Sequence, residues 1–172
     1  MARSVFLSST FSDFIKERKL LLETIPFIDI HVNCAERKGK SGKSLKKTIE
    51  DWIDSSDMVV LLISDKYGTE PNLKHSWTQK EFEYAKEKNK EIFAYIRAIP
   101  ENKKQFVDND LEKRDKLKNF IELVEEYVKV VPRYEFGEDH QLVAMVIRDL
   151  ERHQKELDQK ESEKIYRDGF TG

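Results

Sequence analysis

The sequence predicts a three-layer α/β domain: a five-stranded parallel sheet with helices on both faces. Three observations predict it. Residues 58–63 form an unbroken apolar run, Met-Val-Val-Leu-Leu-Ile, bounded by polar residues. Such a run fits a strand buried on both faces in the middle of a parallel sheet. Other short apolar runs alternate along the chain with stretches whose apolar residues recur at helical spacing, the pattern of strands joined by right-handed helical crossovers. The length of 172 residues suits one domain with a substantial core better than two.

In chain order, residues 4–8 are a short apolar strand, and the polar turn Ser9-Thr10-Phe11-Ser12-Asp13 opens a helix. Phe14, Arg18, Leu21, Leu22 and Ile25 recur at helical spacing until Pro26 stops them. Thr10, with Asp13 three residues on, suits a cap for that helix. Residues 27–32, Phe-Ile-Asp-Ile-His-Val, alternate as a second strand would. A basic, glycine-containing loop follows over residues 35–44, and Ser44 is the expected cap of a helix burying Leu45, Ile49, Trp52 and Ile53. After the central strand a helix begins near Ser76. Residues 92–96 form a fourth strand, and Leu117, Phe120, Ile121, Val124 and Val128 mark the next helix. Val130-Val131 is the expected fifth strand, and Val143, Val146, Ile147 and Leu150 face inward from a last helix. This element order matches a flavodoxin-like sheet. Charged and amide residues dominate from 151 onward. The expected division is an α/β domain over residues 1–150 and a solvated helical extension or linker over 151–172.

Composition narrows the function classes. Lys+Arg 31 against Asp+Glu 33 gives a formal net charge of -2, so no global field favours nucleic acid. One cysteine, Cys34, excludes a disulfide framework or a multi-cysteine metal site. His31, His75, His140 and His153 are scattered without an i,i+4 pair, so no metal centre is expected. The apolar run near the N-terminus is too short for a signal peptide, and no stretch approaches a membrane span. A cytoplasmic protein is the expectation.

Two local motifs carry chemistry. Gly39-Lys40-Ser41-Gly42-Lys43-Ser44 ends like a phosphate-binding loop, but its glycines have two residues between them rather than four, and Arg37 stands where the first glycine belongs. A basic loop leading into a helix N-terminus still attracts anions; the plainer reading is a solvated connection. The second motif is Glu81. Thr78-x-x-Glu81 and Ser76-x-x-Gln79 both read as capping boxes, which would give Glu81 a structural role. Against that, Trp77, Glu81, Tyr84, Ala85 and Lys88 share one helical stripe, at the sheet edge where open α/β sheets bind ligands. A lone carboxylate beside a ribose suits cleavage of an N-glycosidic bond, whose transition state is oxocarbenium-like. Nicotinamide leaves its cationic nucleotide neutral and needs no general acid, and a helix N-terminus would keep Glu81 ionised. Trp77 and Tyr67 either stack on a ring of the ligand or belong to the core.

The stretch Val5-Phe6-Leu7-Ser8-Ser9-Thr10-Phe11-Ser12-Asp13 resembles the "VFISST" opening of a bacterial domain group of unknown function regarded as TIR-like and often found at the N-terminus of large proteins. An apolar strand, Ser64, Tyr67, Ser76-Trp77 and a glutamate five residues after the serine resemble the TIR pattern, although Thr78 stands where TIR domains usually carry a cysteine or similar residue. The resemblance implies that Glu81 is the catalytic carboxylate of an NAD-cleaving effector, switched on by assembly, in bacterial antiviral defence. It implies that Ser8 and Ser9 line the pocket, with Thr10, Tyr67, Ser76 and Trp77 as further substrate-binding candidates. Residues 37–44 fall where the family has the loop that gates the site and mediates assembly, represented here by Arg37, Lys40 and Lys43. NAD or a related nucleotide is then substrate rather than cofactor, and the partners are further copies of the chain or a larger defence assembly. Two other readings stay open. One is a non-catalytic homotypic interaction module with Glu81 as a cap. The other is an N-glycosidase similar to nucleoside deoxyribosyltransferases.

Overall fold

A computed structural model describes residues 3–10, 12–34, 42–71, 74–98 and 110–169, with the backbone alone at 42–44. Five parallel strands run in the order β2-β1-β3-β4-β5: β1 Arg3–Ser9, β2 Ile30–Cys34, β3 Met58–Ile63, β4 Glu91–Ala98 and β5 Arg133–Glu135. The expected flavodoxin-like sheet is therefore present. Helices α1 (Ile15–Thr24) and α5 (Asp139–Gly169) pack on one face, and α2 (Gly42–Asp54), α3 (Trp77–Glu87) and α4 (Leu111–Tyr127) on the other.

The unbroken apolar run of β3 serves both faces at once. Val59, Leu61 and Ile63 join Phe6, Ile49, Phe82 and Phe120 beneath α2, α3 and α4. Met58, Val60 and Leu62 join Leu7, Phe14, Leu21 and Val146 beneath α1 and α5. Alternation of side chains along a strand makes this division automatic. The order of strands reverses between β1 and β3, which pair from Val5↔Met58 to Ser9↔Leu62. The crevice beyond their carboxyl ends is where sheets of this type take ligands.

The structure corrects several sequence expectations. Helix α1 starts at Ile15 with Phe14 before it and no side-chain cap, so Thr10 does not cap it. Residues 25–28 form a 3-10 turn opened by Pro26, and Asp29 has a positive φ of 58°. The second strand therefore begins at Ile30 instead of residue 27, and Phe27 is exposed. Helix α2 already runs from Gly42, so Ser44 lies inside it rather than capping it. The fifth strand begins after Pro132 instead of at Val130, because proline has no N–H for the ladder. On α3 the buried residues are Thr78, Gln79, Glu81, Phe82 and Ala85, while Lys88 is exposed.

Helix α5 continues to Gly169. Arg3 at the start of β1 pairs with its Asp158 at 2.6 Å and Glu161 at 3.3 Å. No described helix is long and apolar enough to cross a membrane.

Two buried phenols give this fold an alkaline limit. Tyr95 donates to Asp149 at 2.8 Å and Tyr134 to Glu17 at 3.3 Å. Burial first, then the neighbouring carboxylate, raises both above the ordinary tyrosine value of 10.0. A pKa raised on folding contributes stability below the unfolded value and loses it as pH rises toward the folded one. Denaturant midpoints are expected to hold up to about pH 10 and fall beyond it, with tyrosinate absorbance of these two residues developing only as the chain unfolds.

Candidate functional site at the β1–β3 crevice

Glu81 is placed by the first turns of α3. Ser76 is the N-cap, and its Oγ accepts from the Gln79 N–H at 3.2 Å. The Trp77 N–H donates to the Thr69 carbonyl at 3.1 Å and ties the preceding loop to the helix start. With Ser76 capping, Glu81 lies beyond the capping position, and neither expected box closes through it. The Gln79 side chain is likewise engaged elsewhere: its Oε1 accepts from the Tyr67 hydroxyl at 2.6 Å, and its Nε2 donates to Glu83 at 2.9 Å.

The Glu81 side chain turns inward to the sheet. It is 2% exposed, and its Oε2 accepts a hydrogen bond from Ser8 Oγ near the end of β1. A carboxylate this deeply buried needs such a partner, because desolvation disfavours an unpaired charge by several kcal/mol. On its outer side Glu81 lines a groove of about 460 Å³ between α2 and α3, with Lys46, Glu50, Trp77, Glu83 and Glu87 around it. Lys80 Nζ sits 5.9 Å from the centre of the Trp77 ring.

The remaining candidates divide between the faces. Ser9, one residue after Ser8, turns to the opposite layer and accepts from Arg18 of α1 at 2.8 Å. Tyr67 is buried in the core beneath α2, α3 and α4. Thr10 faces Gly68, whose φ is +88° and where an added Cβ would meet both Thr10 Oγ1 and Cγ2 at 3.4 Å. Structure thus brings Glu81 and Trp77 to one groove, with buried Ser8 bonded to Glu81 from the sheet side, while Thr10 and Ser76 both lie beside Gly68. Arg37 and Lys40 lie outside the described residues; Lys43 falls in the first turn of α2, its side chain not described.

Sequence reasoning missed a buried cluster behind the same sheet edge. Arg97 at the end of β4 donates to the Asp13 carbonyl at 2.7 Å and to Glu17 at 3.1 Å, between the rings of Phe14 and Phe136. Asp65, just after β3, lies 3.6 Å from Arg97, and burial raises its pKa. Ser64 donates to Asp13 at 2.9 Å. The available signal was a lone arginine directly following the apolar strand residues 92–96. Among the described residues no group of three His, Cys, Asp or Glu side chains is placed to hold a metal.

Replacing the cap separates helix placement from chemistry. Ser76→Ala is expected to lower stability by about 1 kcal/mol, read as a shift in urea midpoint.

The five-stranded order, the crevice and the helix-borne carboxylate define a flavodoxin-like domain with the architecture shared by TIR domains and N-glycosidases. The chain belongs to the family described as "Domain of unknown function (DUF4062)", whose model matches residues 4–151. Its fold is similar to the TIR domains in the activated Roq1 resistosome that directly recognises the pathogen effector XopQ. That match has a TM-score of 0.58 and 18% identity, over 86% of this chain and 98% of the other. It is also similar to the CMP N-glycosidase BcmB of Clostridium botulinum, with a TM-score of 0.52 and 13% identity over 84% and 98% of the two chains. No curated protein matches the chain in sequence.

Proposed function

We propose that this domain cleaves an N-glycosidic bond of a nucleotide, NAD foremost, with Glu81 as the catalytic carboxylate. The observation that carries the reading is the buried Ser8–Glu81 pair beside the α2–α3 groove at the strand-order reversal. Ser8 holds the carboxylate in one orientation, so little reorganisation is needed when positive charge develops on the ribose. In the reaction the C1′–N bond breaks and its electron pair leaves with nicotinamide, which departs neutral. Glu81 stabilises the oxocarbenium ion or attacks it, water adds at C1′, and the proton from water is released. Groove charges support a cationic ring: Glu50, Glu81, Glu83 and Glu87 outnumber Lys46 and Lys80. Trp77 offers an aromatic face for that ring.

The fold shared with a CMP N-glycosidase makes a pyrimidine nucleotide the second substrate to test. In this proposal the domain acts as a TIR-like cytoplasmic effector in bacterial defence, activated by self-association through the stretch containing Arg37, Lys40 and Lys43. Residues 151–172 would extend it toward a further module.

The test is release of nicotinamide from NAD, and of cytosine from CMP, by concentrated protein with a crowding agent. Wild type and Glu81→Gln are compared. Base release by wild type alone supports the proposal. Intact substrates in every reaction favour the interaction module, for which the near-complete burial of Glu81 is the specific observation.

A further inference from the structure

The aromatic face in the α2–α3 groove already carries a cation. Residues three and four positions apart share a helix face, so Lys80 and Glu81 both stand one turn beyond Trp77. Lys80 Nζ lies 5.9 Å from the centre of the Trp77 ring, inside the ~6 Å at which an aromatic face holds a cation. Trp77 is half-buried and packs against the core beneath α2, α3 and α4. Lys80, also half-buried, lines the groove with it. A ring stacked on Trp77 would put its centre about 4.5–7 Å from the indole, which is the space the ammonium takes. The groove's acids are engaged with other partners. Glu50 pairs with Lys46 at 3.5 Å, Glu83 with His75 at 3.3 Å, and Glu81 accepts from Ser8.

We propose that Lys80 is a built-in competitor at the ring site. Its ammonium holds the Trp77 face in the empty protein, and a planar cationic N-heterocycle takes that face by displacing it. The inference rests on the reading of this groove as a nucleotide site. A neutral ring that displaces Lys80 gives up one cation–aromatic contact and returns none. A pyridinium ring exchanges one cation for another and restores it. Lys80 thus sets a threshold that every ring must pass, and positively charged rings pass it at least cost. The side chain acts on affinity for the ring, whereas Glu81 acts on the bond that breaks.

The test follows the indole N–H signals of Trp52 and Trp77 by NMR in the full chain. Two probes are added in turn: 1-methylnicotinamide, a pyridinium cation without ribose, and neutral nicotinamide. The Trp77 signal is expected to report the cation binding roughly fivefold more tightly than the neutral ring. Trp52, which does not line the groove, is the internal control. Lys80→Met keeps the length of the side chain and removes its charge. It is expected to tighten 1-methylnicotinamide about threefold, the size of one partly exposed cation–aromatic contact. Lys80→Arg stacks more strongly on indole; it is expected to bind the probe more weakly than wild type, and it serves should the methionine variant fail to fold. Equal affinity for the two probes, unchanged or weaker binding in Lys80→Met, or tighter binding in Lys80→Arg would overturn the proposal. Binding is read without turnover, so its failure is separable from that of the glycosidase reading. NAD cleaved by a protein whose Trp77 signal ignores the pyridinium overturns this inference alone. A pyridinium seated on Trp77, with NAD left intact, supports it.

Discussion

Glu81→Gln is expected to lower nicotinamide release by at least about 10²-fold while leaving the fold and KM nearly unchanged. The substitution keeps the side-chain shape and an oxygen that Ser8 Oγ can donate to, and removes only the negative charge. A charge felt by the transition state more than by the ground state lowers kcat when it is lost, and removal of one preorganised electrostatic group typically costs 10²–10³ in rate. Because Ser76 rather than Thr78 caps α3, no helix cap is disturbed. Circular dichroism and the urea midpoint check that point directly. A variant that turns over NAD at the wild-type rate would remove Glu81 from the mechanism, and one that unfolds would make its role structural.

Arg97→Met is expected to destabilise the domain by about 3–5 kcal/mol, the usual effect of removing one partner from a buried ion pair. The guanidinium is 7% exposed and meets Glu17 and Asp65, side chains that are 5% and 9% exposed. Methionine fills much of the space between Phe14 and Phe136 and leaves two buried carboxylates without their cation. Asp65 starts with a pKa already raised by burial, and losing Arg97 removes an influence that lowers it. A raised Asp65 value means that the folded state gains stability as pH falls and that carboxylate takes up its proton. The loss should therefore shrink between neutral and mildly acidic pH, and adding Glu17→Gln should recover part of it. Chemical denaturation at several pH values measures both effects. A pH-independent loss would point to packing around the arginine instead of charge.

How far the sequence revealed this architecture depended on whether the cause was local. The β3 run needed no context, since six consecutive apolar residues have few other homes, and its limits agree with the structure. The α3 start was legible because Ser76 caps through its own neighbour. Residues 27–32 misled because their alternation matches a strand, while Pro26 and the left-handed Asp29 fold the first part into a 3-10 turn. The Val130-Val131 pair looked like a strand to propensity, but the hydrogen-bond ladder starts only beyond Pro132. The candidate site was half visible. Glu81 stood out by its place on the helix, but that Ser8, rather than Ser9, meets it follows from sheet geometry across 73 positions. The Arg97 contacts to Asp13 and Glu17 span 84 and 80 positions, and no periodicity encodes such a meeting.

Ser8 and Ser9 are neighbours in the chain yet serve opposite helical layers, one bonded to α3 and the other to α1. This makes β1 intolerant of length changes in a way its apolar composition hides. One residue inserted before Val5 would carry Val5, Phe6 and Leu7 to the wrong sides and exchange the two hydroxyls between layers with them, and one inserted directly before Ser8 would put the serines out of step with those core residues. Loops can lengthen cheaply and core residues can trade volume, but this strand has a reading frame. In a library of single-residue insertions, positions 4–8 should, like the β3 run, be among those from which no folded protein is recovered.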